Sequence, residues 1–290
     1  MRYLGLPRVK FARWIGTLAC AVVLAGGATA GASPLQPRTY GPARAWGGTE
    51  IRSLDPARLP ATTATTATAA RASKRSRHHD QVLSNETTFT RWAYVNRIAW
   101  IYQAPRTSSR RVAQLTWYTP DGFSSIYLLL RAHWDARGQE WVKLRIPGRP
   151  NGRTGWVEQN ALGPFHLTHT LVVVNREQLR MSFYENGRRI WSAPVGVGKP
   201  GTPTPPGHFW IDERFNISDP SSGYYPYAFG TTDYSTLTDW PGGGVVGIHG
   251  PYYDAPGIPG YISHGCIRLH VSDDFWLAAH VQLGTPVHVI

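Results

Sequence analysis

The sequence predicts a mainly β protein in which two β domains follow an N-terminal export segment and a linker. Short apolar runs recur between turn residues from position 92 to the C-terminus, as they do in β-sandwiches and barrels. One stretch, Ser272 to Gln282, combines an N-cap residue, acidic residues in the next turn and apolar residues at helical spacing. The expected fold is therefore a C-terminal β-sandwich or barrel with one helix, preceded by a small β-barrel.

Residues 1–32 have the pattern of a signal peptide. Four basic residues precede an apolar stretch rich in Ala and Gly, and small residues suited to cleavage close it. The apolar run is shorter than the ~20 residues that a membrane span usually needs. We therefore expect cleavage and export to the cell wall, the periplasm or the extracellular space. Membrane anchoring is the alternative if the segment stays uncleaved.

Charge is spread unevenly along the chain. Of the formal net charge of +12, residues 1–80 carry +9, residues 81–163 carry +6 and residues 164–290 carry −3. Residues 33–80 are rich in Ala, Thr, Pro and Arg and hold little large apolar surface, so a disordered linker is expected there. For an exported basic protein, an anionic envelope polymer is a better counterpart than a nucleic acid, and a basic surface that only favours solubility is the alternative.

Residues 92–163 predict the small β-barrel. Apolar runs are separated by turn residues, and Trp141 to Ile146 alternates apolar and basic residues as a half-buried strand does. Three segments resemble those of a bacterial SH3-like domain, namely Tyr102-Gln103-Ala104-Pro105, Glu140-Trp141-Val142-Lys143-Leu144 and Thr154-Gly155-Trp156-Val157. The resemblance implies a module that binds cell-wall peptides or packs against a catalytic neighbour.

Residues 164–290 predict the larger β domain. Asn186-Gly187 between two apolar runs is a strong hairpin signal. Strands are expected at Leu171–Val174, Leu179–Tyr184, Arg189–Val197, Phe209–Ile211, Val245–His249 and Pro286–Ile290. The sequence has no phosphate-binding glycine motif and no Cys/His spacing typical of a metal site. No metal and no organic cofactor is therefore expected.

The mature chain is expected to hold one cysteine, Cys266, because Cys20 lies in the predicted signal peptide. An unpaired thiol in an exported protein indicates intermolecular pairing or a reactive group. Cys266 ends the sequence Ser-His-Gly-Cys, and His249 ends a predicted strand seventeen residues upstream. A thiolate nucleophile needs a group that takes its proton, and His249 or His264 could do so. The alternative is a small buried cysteine beside histidines that are already hydrogen-bonded.

At these residues the sequence resembles the L,D-transpeptidase catalytic domain. The resemblance is carried by Ile248-His249-Gly250 and by Ser263 to Leu269. Thr202 to Phe209 is also similar to the family's Thr-Pro-x-Gly-x-Phe turn, with one extra proline. The resemblance extends from about Leu171 to Ile290. It implies an enzyme acting on peptidoglycan stem peptides, in which a cysteine displaces D-alanine and an amine then resolves the thioester into a cross-link.

The resemblance implies a role for each matching residue. Cys266 would be the nucleophile and His249 the general base and acid, with the Gly250 carbonyl orienting the histidine ring. Backbone amides of Gly265 and Cys266 would stabilise the oxyanion. We expect the His249 ring and the Cys266 sulfur within about 4 Å of each other, or separated by one water.

Two further residues and one loop each have two possible roles. His264 would support the site by hydrogen bonding or share in proton transfer, and Arg268 would bind a substrate carboxylate or brace the turn. The loop from Pro251 to Tyr261 could cover the acyl-enzyme or merely connect two strands. Two alternative functions share the same residues: a hydrolase or L,D-carboxypeptidase in which water resolves the thioester, and a wall-binding protein with an inactive catalytic domain.

Overall fold

The computed structural model describes residues 80–239, 241–250 and 256–290. The predicted signal peptide and the predicted linker up to residue 79 lie outside these ranges. Within them the chain forms two β-sheets and a single α-helix, which confirms the mainly β class. No helix in this part of the chain is long and apolar enough to cross a lipid bilayer.

The first sheet has eight strands between residues 81 and 168. They are β1 (Gln81–Val82), β2 (Thr90–Tyr94), β3 (Trp100–Tyr102), β4 (Arg111–Gln114), β5 (Ile126–Trp134), β6 (Glu140–Arg145), β7 (Thr154–Glu158) and β8 (His166–Thr168), with a 3₁₀ turn at Gln159–Ala161. Their spatial order is β4-β3-β7-β6-β5-β2-β8, and β1 pairs with β5. This sheet has its own apolar core, built around Leu129, Val142 and Val157.

The second sheet has ten strands and carries the predicted catalytic residues. Its elements are β9 (Thr170–Asn175), β10 (Arg180–Glu185), β11 (Arg188–Pro194), β12 (Gly196–Gly198), β13 (Gly207–Asn216), β14 (Tyr227–Tyr234), a 3₁₀ turn (Pro241–Gly244), β15 (Val245–His249), β16 (Gly260–Ser263), β17 (Ile267–Arg268), helix α1 (Val271–His280) and β18 (Pro286–Val289). The strand order is β11-β10-β9-β18-β13-β14-β15-β17-β12-β16. The core under this sheet includes residues of the helix, such as Leu277.

Most local predictions for the second sheet are confirmed. Asn186 and Gly187 form the two-residue turn between β10 and β11, and β15 ends at His249. The prediction that Ser272 caps the helix is wrong, because the Asp274 amide donates to the His270 carbonyl at 2.9 Å and the helix begins at Val271. Strand β14 was not predicted, because its sequence contains Gly and Asp, which are uncommon in strands.

An apolar cluster joins the two sheets. Trp92, Ile126 and Leu128 of the first sheet pack with Trp210 of β13. All four side chains are at least nine-tenths buried. The first sheet is therefore fixed against the strand that leads towards the predicted active site.

Candidate active site

Cys266 lies in the tight turn between β16 and β17. Gly265 has φ of +128°, a backbone conformation that side chains with a Cβ rarely adopt. A Cβ at this position would also lie 3.1 Å from the Ser235 Cβ. The turn that presents Cys266 is thus packed closely against the chain that follows β14.

Ser263 holds this turn from within. Its hydroxyl donates to the Cys266 carbonyl at 2.5 Å and accepts the Gly265 amide at 3.1 Å. The Gly265 amide is therefore already engaged, which corrects the expectation that it is available to an oxyanion. The Cys266 amide remains the predicted oxyanion donor.

Thr204 joins the proline-rich loop to the same turn. Its hydroxyl accepts the Gly198 amide at 2.9 Å and donates to the Gly265 carbonyl at 2.7 Å. Thr204 is buried, so water cannot replace either bond. The Thr-Pro segment that resembles the family turn thus acts as a support for Cys266.

We expect Thr204→Val to destabilise the protein by about 2 kcal/mol, because it leaves the Gly198 amide and the Gly265 carbonyl buried without partners. Urea unfolding measures this change. Thr204→Ser keeps the hydroxyl and is the matched control, with less than half of the loss expected. Equal destabilisation by the two substitutions would show that the hydroxyl contributes nothing.

His249 ends β15, and its ring is fixed by the backbone. Its Nδ1 donates to the Gly250 carbonyl at 2.6 Å, as the family resemblance implies. A Cβ on Gly250 would lie 1.7 Å from the Tyr225 carbonyl oxygen, so no side chain fits there. Burial lowers the pKa of His249 to about 4, although hydrogen bonding to the carbonyls of Gly250 and Gly223 partly opposes the shift. His249 is therefore neutral at pH 7 and able to accept a proton.

Asp274, in the first turn of α1, supports the His249 segment. Its Oδ2 accepts the Tyr227 amide at 2.9 Å, and its carboxylate also hydrogen-bonds the Gly250 amide. Burial raises the pKa of Asp274 to about 7. Sequence reasoning assigned this residue only to the helix dipole, because no local pattern reveals that the helix packs beside Gly250.

The Cys266 thiol is half-buried and unpaired. The Gly247 amide donates to its sulfur at 3.4 Å. Burial raises the pKa of Cys266, and the Gly247 amide and the Arg268 charge only partly offset this. Since burial also lowers the pKa of His249, the two resting groups are a neutral thiol and a neutral imidazole rather than a thiolate and an imidazolium.

This charge state predicts how the thiol responds to pH. We expect the rate of Cys266 alkylation by iodoacetamide to rise continuously between about pH 6 and about pH 9, because the thiolate is scarce throughout that range. Mass spectrometry of the labelled protein measures the rate. A plateau near neutral pH would indicate a preformed thiolate and contradict this assignment.

Cys266 and His249 line one cavity of about 250 Å³. The Tyr224 ring also lines it, with its centroid 4.7 Å from that of His249. The structure thus brings the two predicted catalytic residues to the same cavity. Their predicted approach to about 4 Å stays a prediction. Phe229 of β14 also lines the cavity.

The remaining predicted site residues lie around this pair. His264 is half-buried and is not among the described residues that line the cavity. Arg268 is next to His249 across the β15–β17 pairing, and its charge lowers the pKa of both His249 and Cys266. Binding of a substrate carboxylate by Arg268 stays a prediction. The predicted lid falls partly outside the described residues, at 251–255.

Two carboxyl groups on the cavity wall were not predicted. Asp121, from a turn of the first sheet, hydrogen-bonds Glu213 of β13, and both line the cavity. Burial raises the pKa of Glu213, and the Asp121 charge raises it further. The sequence gives no signal for this pair, because Asp121 belongs to an ordinary Pro-Asp-Gly turn more than ninety residues before Glu213.

The loop between β6 and β7 braces the chain behind the Cys266 turn. Arg149 donates to the Ser235 carbonyl from Nε at 3.1 Å and from Nη2 at 2.7 Å. Asn151 donates from Nδ2 to Asp233 Oδ1 at 2.7 Å and accepts the Tyr234 amide at 3.2 Å. The first sheet therefore contributes both to the cavity wall and to the support of the nucleophile.

Comparison with known sequences gives one family. A sequence model of the L,D-transpeptidase catalytic domain (YkuD) matches residues 169–289. The putative L,D-transpeptidase YkuD of Bacillus subtilis is 31% identical over 144 residues, which are 50% of this chain and 72% of the relative. L,D-transpeptidase 1 of Mycobacterium tuberculosis is 25% identical over 185 residues, which are 51% of this chain and 70% of the relative.

The solved structures that are similar to this chain include L,D-transpeptidases. A crystal structure of a mutant Enterococcus faecium L,D-transpeptidase matches with 28% identity and a TM-score of 0.33. The match covers 42% of this chain and 49% of that chain. The chain thus spans about half of the length of that structure.

Proposed function

The chain belongs to the L,D-transpeptidase family, and we propose that it forms peptidoglycan cross-links through a thioester on Cys266. One observation carries the proposal: Cys266 and a neutral His249 line the same cavity, on the second sheet, at the positions that match the family signature. The acyl donor is a stem peptide that ends in D-alanine.

Acylation begins with a neutral pair. As the sulfur attacks the peptide carbonyl carbon, His249 accepts the thiol proton, so that no stable thiolate is needed beforehand. The oxyanion of the tetrahedral intermediate is stabilised by the Cys266 amide. When the intermediate collapses, the C–N bond breaks and His249 returns the proton to the leaving D-alanine amine, which leaves a thioester on Cys266.

Deacylation repeats these steps with a second nucleophile. An acceptor amine attacks the thioester carbonyl and loses a proton to His249, and the thiol leaves with that proton. The Asp121–Glu213 pair favours an amine over water, because its negative charge attracts the ammonium form of the acceptor, which releases one proton to solvent before the neutral amine attacks. This attraction supports transpeptidation over carboxypeptidase action on the same site.

Product analysis on a stem tetrapeptide distinguishes the two outcomes. A transpeptidase produces cross-linked dimers and D-alanine, whereas a carboxypeptidase produces only tripeptide and D-alanine. We expect dimers from the wild-type protein, and a lower ratio of dimer to tripeptide from Glu213→Gln. Tripeptide alone from the wild-type protein would establish the carboxypeptidase alternative, and no turnover at all would restore the wall-binding alternative.

We also infer that the first sheet is an SH3-like module of an exported enzyme. Its small eight-stranded sheet with a separate core supports this, as do the hydrogen bonds of Arg149 and Asn151 to the chain beside the Cys266 turn. The module would brace the active site in addition to any contact with the wall polymer. Export is supported by the pattern of residues 1–32.

A further inference from the structure

Three potential metal ligands, Glu86, His208 and His288, lie close together where the first sheet meets the second. Glu86 lies between β1 and β2, His208 lies on β13 and His288 lies on β18. Their ligating atoms all lie within 4.8 Å of one another. None of the three residues lines the catalytic cavity.

The two histidines form a chelating pair set by strand register. His208 and His288 stand directly opposite each other on antiparallel strands, so their side chains share one face of the sheet. Their ring centroids are 4.0 Å apart. His208 is exposed and can rotate, whereas His288 is half-buried.

His288 has an unused ligating atom. Its Nε2 is buried and has no hydrogen-bond partner among the described residues, although buried polar atoms usually have one. A ring nitrogen that makes no hydrogen bond is available to bind a metal ion.

Glu86 is held in place by the turn around it. The Asn85 side chain accepts the amides of Thr87, Thr88 and Phe89 at 3.0, 2.8 and 3.1 Å. Glu86 itself has φ of +59°, an uncommon backbone conformation for a residue with a side chain. The carboxylate is thus fixed on a rigid turn.

Arg145 orients the Glu86 carboxylate and neutralises it. Arg145 Nε lies 2.5 Å from Oε1 and Nη2 lies 2.8 Å from Oε2, and both side chains are largely buried. A carboxylate has further lone pairs besides those engaged by the guanidinium, so Glu86 can still bind a metal ion. The arrangement resembles the outer hydrogen bonds that orient ligating carboxylates in metal sites.

We propose that Glu86, His208 and His288 bind a divalent transition-metal ion of the Zn²⁺ type. Two imidazole nitrogens and one carboxylate suit such an ion better than Ca²⁺ or Mg²⁺, which prefer oxygen ligands. Ligands around tetrahedral zinc lie roughly 3.3 Å apart, so a small rotation of His208 completes the geometry. The ion would link the two sheets and so stabilise the position of the first sheet.

Thermal unfolding of the full chain with and without zinc chloride tests the proposal. Every protein carries Cys266→Ala, so that the catalytic thiol cannot bind zinc. We expect a Tm rise of roughly 5 °C at a zinc concentration a hundred times the Kd. Equilibrium dialysis should show one more bound zinc per chain than in the variants that lack a ligand.

His208→Ala and His288→Gln should each abolish most of the Tm rise and weaken zinc binding at least about tenfold. His208 is exposed, so His208→Ala tests the site even if His288→Gln fails to fold. His133→Gln removes a histidine of the first sheet outside the cluster and should keep the full rise. The proposal is overturned if the parent protein shows no rise, or if His208→Ala retains the rise and the zinc stoichiometry of the parent.

Discussion

Replacement of Cys266 by alanine is expected to reduce D-alanine release from a stem tetrapeptide by roughly a thousandfold or more, because it removes the thiol that forms the acyl-enzyme. The thiol lies in the cavity with His249, and the backbone turn around it is held by Ser263 and Thr204. These supports do not involve the sulfur. The loss of activity should therefore be a loss of chemistry and not of structure.

Two measurements distinguish a loss of chemistry from a loss of folded structure in Cys266→Ala. The Tm of Cys266→Ala should stay close to that of the wild-type protein, because the contact that the sulfur accepts from the Gly247 amide is weak, at 3.4 Å. Binding of the stem peptide, measured by calorimetry, should also persist. Substantial D-alanine release by a folded Cys266→Ala protein would disprove the nucleophile assignment.

Replacement of His249 by glutamine is expected to lower kcat by roughly 10²–10⁴-fold, because the amide cannot take the thiol proton. Glutamine can still donate to the Gly250 carbonyl, so it preserves part of the local structure. In the wild-type protein, kcat/KM should fall as the pH drops through about 4, where His249 becomes protonated. The variant should lose this acidic limb.

His264→Gln is the matched control for this assignment. His264 is a second histidine near Cys266 in the sequence, but it does not line the described cavity. His264→Gln should reduce kcat much less than His249→Gln does. It should also keep the fall of kcat/KM at low pH. The base assignment is wrong if His264→Gln removes the limb and His249→Gln keeps it.

The catalytic pair could be predicted from sequence because its signals are local. The Ser-His-Gly-Cys turn and the strand ending at His249 each occupy a few consecutive residues, and the structure places both at one cavity. The hairpin at Asn186-Gly187 was predictable for the same reason. Each depends on the conformational preferences of neighbouring residues.

The supports of the site could not be predicted, because they come from distant segments. Asp274 reaches Gly250 and Tyr227 from a helix, and Asp121 and Arg149 come from the first sheet. Each residue stands in a locally ordinary turn or helix. Its role depends on which surface its element packs against, and a single sequence does not encode that locally.

The Gly265 amide shows a second reason why parts of the site could not be predicted from the sequence. Family resemblance placed it in the oxyanion site, yet the Ser263 hydroxyl already accepts this amide in the folded protein. A motif gives the identity of the residues in a turn but not the hydrogen bonds among them. The partner of a backbone amide is decided only when the whole turn is folded.

The most direct test of the account is the location of the covalent intermediate. The protein is mixed with a stem tetrapeptide, quenched in acid within one turnover and digested, and the acylated peptide is identified by mass spectrometry. We expect the added mass of the acyl group on Cys266 in the wild-type protein and no adduct in Cys266→Ala. An adduct on another residue, or one that persists in Cys266→Ala, would contradict the account.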